Sequence, residues 1–141
     1  MPYIEWDNSL SVGVEVIDEQ HMRIVDYINE IHDTLHAPMT VSDREERVMQ
    51  VVNSAIDYTE SHFDFEEDML EKVNYPYLKA HTRVHQLFVR RIHDYKTRLE
   101  NGEDIARELM DTLMHWLLNH IRSEDKNYAK WMSGTDERSL P

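Results

Sequence analysis

The chain contains no cysteine. Disulfides, thiolate nucleophiles, iron–sulfur clusters and cysteine-based zinc sites are therefore excluded, and any metal must be held by nitrogen and oxygen. Glycine and proline are scarce, with three and four among 141 residues, which leaves little turn chemistry and favours long helices. Positive charge is also in short supply. Fifteen Lys and Arg stand against 28 Asp and Glu, a formal net charge of −13. Such a surface repels phosphate backbones and anionic bilayers, so neither nucleic acid nor membrane is an expected partner. No apolar run approaches the ~20 residues of a membrane span. Residues Met1 to Leu10 lack the basic and apolar regions of a signal peptide. A soluble cytoplasmic protein is the expectation.

What is present is helical periodicity. The length suits one domain with a sizeable core. We expect a single domain over 1–141, with its core at about 3–132 and a frayed tail at 133–141. Val12, Val14 and Val16 alternate with Gly13 and Glu15, which predicts an extended N-terminal arm over residues 1 to about 17. Tyr3, Ile4 and Trp6 give that arm something to pack with. A first helix is expected from Asp18 to before Pro38, with the seam Ile17, His21, Ile24, Ile28, Ile31, Leu35. A second starts near Ser42, where Ser42 and Glu45 match a capping box. Its seam is Val48, Val52, Ala55, Thr59, His62, Glu66, Met69, ending near Asn74. A third starts around Pro76, with Leu78, His81, His85, Phe88, Ile92, Tyr95, Leu99, and ends at Asn101-Gly102. A fourth runs from about Asp104 to Met132 with a broader stripe through Leu109, Leu113, Trp116, Leu117, His120 and Ile121 to Tyr128. Four such helices with short connections predict an all-α, up-down-up-down four-helix bundle.

Seven polar residues interrupt these apolar seams: His21, His62, Glu66, His81, His85, His120 and Asp125. A polar group in a core stripe destabilises the fold unless something satisfies it. His62 with Glu66, and His81 with His85, are spaced i,i+4 and share a helix face. In an antiparallel bundle, the start of helix one, the end of helix two, the start of helix three and the end of helix four lie at the same depth. All seven residues fall at that end. Five imidazoles and two carboxylates exceed the needs of one ordinary ion and suit two ions bridged by carboxylates. Nitrogen-rich ligation favours iron over magnesium or calcium, while zinc, manganese and copper stay open by ligand type. One pair is irregular. His120 and Asp125 are five apart, ~140° around a regular helix. Glu124, at i+4 from His120, competes for the ligand role.

His62-Phe63-Asp64-Phe65-Glu66 resembles the HxxxE motif of hemerythrins. His81-Thr82-Arg83-Val84-His85 resembles their HxxxH motif, and His120 through Asp125 their HxxxxD motif. Ile17-Asp18-Glu19-Gln20-His21 is similar to the segment with their first-helix histidine. The arm with Trp6 also looks like that of bacterial hemerythrins, so the resemblance spans about residues 3 to 132. It implies reversible O2 binding at a non-haem di-iron centre, for transport, storage or local supply, and no enzymatic activity. His81, His85 and His120 would hold one iron, and His21 and His62 the other. Glu66 and Asp125 would bridge, with an oxo or hydroxo group, and the resemblance prefers Asp125 to Glu124. Counting ligands leaves one open position, on the two-histidine iron, for O2. Ile24, Trp116, Leu117 and Leu118 are candidates for a dry wall around it, Leu117 foremost.

The remaining histidines read more plainly. His32 and His36 lie late in helix one and are expected at the surface, His93 at a boundary, and His115 beside Trp116 in reach of an outer-shell role. Of the acidic run Asp64, Glu66, Glu67, Asp68, only Glu66 is expected inward. Two other functions remain in view: O2 or redox sensing with a partner protein in trans, and di-iron oxidase or peroxidase activity. No protein partner is legible, and a monomer is the expected state.

Overall fold

The structure is a computed structural model that describes residues 3–133. Its elements are α1 (Glu15–Leu35), α2 (Val41–Lys72), α3 (Leu78–Glu100), α4 (Ala106–His120), a π-helical turn (Ile121–Asp125) and α5 (Lys126–Ser133). The last three form one rod. α1 packs on α2 and α4, and α3 packs on α2 and α4, closing a four-membered ring. This is the up-down-up-down bundle that the four seams require. The seams are buried almost throughout: Ile17, Ile28, Ile31, Val52, Ile56, Ile92 and Leu109 expose no surface. The tail expected at 133–141 lies outside the described residues except for Ser133, which closes α5.

Helix starts differ from expectation by a few residues. α1 begins at Glu15, not Asp18, and its N-cap Val14 supplies no side-chain bond. Asp18 serves another purpose. Its carboxylate accepts from Ser11 Oγ at 2.5 Å and Val12 N at 2.9 Å, tying the arm to the first turn. α2 is capped by Thr40, whose hydroxyl accepts from Asp43 N, rather than by Ser42. α3 begins after Pro76, at Leu78. Gly102, at φ 89°, lets the chain turn back toward α4 in a conformation that side chains disfavour.

The arm is irregular rather than strand-like, with a short 3-10 turn at Asn8–Leu10. Asp7, Ser11 and Val14 are extended, as the pattern predicts, but among the described residues there is no strand for the arm to pair with. Asn29 of α1 substitutes for one. Its side chain donates to Ile4 O and accepts from Ile4 N, both at 2.8 Å. Asn29→Ala should cost about 1–3 kcal/mol in a thermal or denaturant melt and should make the arm cleavable by protease. Tyr3 stacks on His32, with ring centroids 4.8 Å apart, and donates a hydrogen bond to Asp111. His32 is thus the platform for the arm, not a free surface residue.

Burial, then the hydrogen bond to Asp111 and its charge, push the Tyr3 hydroxyl up to about 12. The folded value lies above the ordinary one of about 10, so this stabilisation is complete below pH 10. It is lost as pH rises through about 12. A 295 nm titration of the wild type minus Tyr3→Phe should isolate one phenol with that late midpoint. A midpoint near 10 would show that the arm is not docked.

Candidate metal centre

The seven seam-breaking residues meet. His21, Glu66 and Asp125 expose nothing, and His62, His81, His85 and His120 expose at most 3 %. α1 contributes His21, α2 His62 and Glu66, and α3 His81 and His85. The last rod contributes His120 and Asp125.

Their atoms form two groups with Glu66 in common: Glu66, His81, His85 and His120, and separately His21, His62 and Glu66. The two carboxylates are split between them in the same way. Glu66 Oε1 lies 2.5 Å from His81 Nε2 and 3.2 Å from His85 Nε2, while Oε2 faces His62 Nε2 at 3.5 Å. Asp125 Oδ1 lies 3.1 Å from His120 Nε2 and 3.4 Å from His81 Nε2, while Oδ2 lies 3.2 Å from His21 Nε2. Each carboxylate therefore turns one oxygen to two rings of the His81, His85, His120 group and the other to one ring of the His21, His62 pair.

The π-helical turn resolves the irregular spacing. Its backbone bonds run from i to i+5, so a residue five positions on comes round to the face that i+4 would occupy in an α-helix. Asp125 is therefore fully buried, and Glu124 is displaced outward. Glu124 Oε2 instead lies 3.3 Å from His120 Nδ1, on the outer edge of that ring.

Other outer contacts orient the rings. Gln20 Oε1 accepts from His62 Nδ1 at 2.6 Å, and Glu67 Oε2 from His85 Nδ1 at 3.0 Å. The Tyr128 hydroxyl donates to Glu66 Oε2 at 3.1 Å. Anchoring Nδ1 fixes the tautomer and presents the Nε2 lone pair inward. Sequence reasoning missed Gln20, Glu67 and Tyr128 in these roles. The first two each adjoin a ligand candidate in the chain but serve a ring on a different helix, a relation that only packing creates. Aromatic rings back the centre. Phe63 lies flat on His85 with centroids 3.9 Å apart, and Trp116 on His120 at 4.4 Å.

Among the other sequence candidates, Ile24 and Leu117 are buried, and Trp116 and Leu118 are half-buried. His36, His93 and His115 are exposed, and His93 pairs with Glu60.

These residues fit metal ions. Both nitrogens of His21 and both oxygens of Asp125 are buried with no hydrogen-bond partner. His85 Nε2 and His120 Nε2 face each other at 3.0 Å. Buried polar atoms left unpaired in this way destabilise a core unless a cation binds them. Burial pushes His62 down to about 4, leaving it neutral and free to ligate. Burial also works to lower His120, but Asp125, Glu124 and Glu66 outweigh it and raise the ring to about 10. A metal ion taking that nitrogen must displace a proton. The donor set is all nitrogen and oxygen, as the absence of cysteine demands.

Known proteins resemble this chain in sequence and fold. A family model described as the Hemerythrin HHE cation binding domain matches residues 12–132. A bacteriohemerythrin of Stenotrophomonas maltophilia is 43% identical over 129 residues, covering 92% of this chain and 81% of the relative. One from Pseudomonas aeruginosa is 40% identical with the same coverage. A solved structure of wild-type hemerythrin superposes with a TM-score of 0.81 at 26% identity, over 90% of this chain and 95% of that one.

Proposed function

Because the chain belongs to the hemerythrin family, we propose that it binds O2 reversibly at a non-haem centre of two iron ions, serving to carry, store or locally supply the gas. One observation supports this reading above others: both buried carboxylates divide their oxygens between a three-histidine and a two-histidine group. In this reading His81, His85 and His120 would hold one iron, and His21 and His62 the other. Glu66 and Asp125 would bind both ions, and a solvent-derived oxo or hydroxo group would complete the pair. The iron pair supplies, when bound, the electrons that O2 takes up and returns.

The protein's own residues do the rest. Gln20 and Glu67 hold two rings in the ligating tautomer, and Glu124 stands behind a third. Tyr128 steadies Glu66. Burial beside Glu66 and Asp125 pushes its hydroxyl far above the ordinary tyrosine range, so it keeps its proton. Ile24 and Leu117, both buried, and the half-buried Leu118 would serve as a dry wall that keeps water from the open iron position, and water exclusion is what reversibility needs. Trp116 lies on His120 and so covers the three-histidine side instead.

Binding is read ahead of turnover because the relatives are hemerythrins. Among the described residues, the buried polar groups outside the seven candidates are Thr34, Thr59 and the hydroxyls of Tyr75, Tyr95 and Tyr128. Both threonines bond back to carbonyls of their own helices. Neither is a general acid or base positioned for substrate chemistry. Sensing through a partner in trans, and slow oxidase or peroxidase activity, are the alternatives. No described helix is long and apolar enough to cross a membrane.

The test is to load the anaerobic protein with ferrous iron, add O2, then purge while following the visible spectrum. A coloured form that reverses on purging supports carriage. Irreversible conversion to the oxidised form favours sensing or catalysis, and absence of any colour refutes the di-iron reading.

A further inference from the structure

We propose that the groove at the end of the bundle remote from the metal ligands docks a basic, amphipathic helix of a partner protein. The groove encloses about 930 Å³ between the first turns of α2 and the connection from α3 to α4. Its apolar lining comes from Leu35, Val48, Met49, Leu99 and Ala106. On the rim stands Val41, 67% exposed on the first turn of α2. Met39, in the turn before it, is 38% exposed. Apolar side chains left this open, in a chain so rich in charge, mark an interaction surface better than they mark packing.

Charge selects the occupant. Glu45, Glu46, Glu100 and Asp104 line the same groove, and none takes part in an ion pair among the described residues. Glu103 is matched by Arg98. The one cation on the lining, Arg44, donates to the carbonyls of Ala37 and Met39 at 2.7 and 3.2 Å. The groove therefore presents uncompensated negative charge around an apolar floor. A second copy of this chain, at −13, is repelled from it, as are nucleic acid and anionic bilayers. A helix with apolar anchors at i, i+3 or i+4 and i+7, flanked by Lys and Arg, matches both features. The stretch from Val41 to Asn53 is ~20 Å long, enough for about three turns of such a helix. Val41 lies ~30 Å along α2 from His62, so docking leaves the metal end open. The inference does not depend on what the centre binds.

The experiment uses the full chain and a labelled 14-residue Leu/Lys amphipathic peptide, followed by fluorescence anisotropy with NMR shift mapping. Val41→Asp is the decisive variant. Asp is favoured in the first turn of a helix, so α2 is retained. The change adds negative charge, so nonspecific attraction to a cationic peptide would strengthen, whereas seating in the groove would weaken. Saturable one-to-one binding, at least tenfold weaker in Val41→Asp, with shifts at 41–53 and 99–106, is the expected result. No saturable binding, equal or tighter binding by Val41→Asp, or shifts spread over the acidic surface would overturn the proposal. So would a dimer, formed without peptide, that Val41→Asp dissolves, because a second copy would then be the occupant.

Discussion

Replacing Glu66 by glutamine is expected to leave the bundle folded and to deprive it of iron. Glu66 is the residue that both ligand groups share, and it is fully buried. Burial opposes its ionisation, yet the bonds from His81 and His85 and the neighbouring His62 hold its carboxyl well below the ordinary range. It is therefore an anion in the metal-free chain, ready to bridge. Glutamine keeps the volume and can still accept from Tyr128, but it removes the charge and a bridging oxygen. Iron should fall from two per chain to less than one, and the visible bands should vanish. Stabilisation by metal, about 4 kcal/mol at a free metal concentration a thousandfold above Kd, should vanish with them. Glu66→Ala adds a second penalty. It strands the rings of His81 and His85, and removing one member of a buried pair costs about 3–5 kcal/mol. The metal-free form should then melt earlier than that of Glu66→Gln. Two irons retained by Glu66→Gln would sink the bridging assignment.

The second large effect separates Asp125 from Glu124. Asp125→Ala should forfeit a bridge and lower iron content as Glu66→Gln does. Glu124→Ala should keep two irons and lose about 10–100-fold in affinity, the usual cost of an outer-shell partner. Deleting Ser123 sharpens the comparison. Ser123 is exposed in the π-helical turn, which accommodates one residue more than an α-helix would. Removing it turns the spacing of five into four and returns Asp125 and Tyr128 to their present faces. That variant should load two irons and melt no lower than wild type. If Glu124→Ala emptied the centre while Asp125→Ala filled it, the π-helical turn would have been misread. Metal content by elemental analysis decides among the three.

The bundle was legible because seams of Ile, Val and Leu at alternating three and four spacings specify a helix face with little competition. The seams of α2 and α3 also carried His62, Glu66, His81 and His85 to the interior, since a residue within a buried stripe is buried with it. The seam logic failed at Asp125, because i+5 is off-face in any regular helix. There the structure buries Asp125, the residue the family motif prefers, and leaves Glu124 at the outer edge of His120. Helix starts were misjudged for another reason. Asp18 and Ser42 are good capping residues by type, but Asp18 was drawn off by Ser11 and Val12, and Thr40 reached Asp43 first.

Sequence alone determined the fold class, the nitrogen-and-oxygen character of the centre and the identity of the residues converging on it. These follow from composition, periodicity and chain direction, which are properties of single helices and their order, except that the preference for Asp125 over Glu124 rested on the family motif. Only the tertiary structure decided how Glu66 and Asp125 apportion their oxygens, which partner stands behind each ring, and that Trp116 covers His120. Those are relations between side chains on different helices. They depend on helix rotation and on a π-helical turn that the spacing of five between His120 and Asp125 signals without fixing.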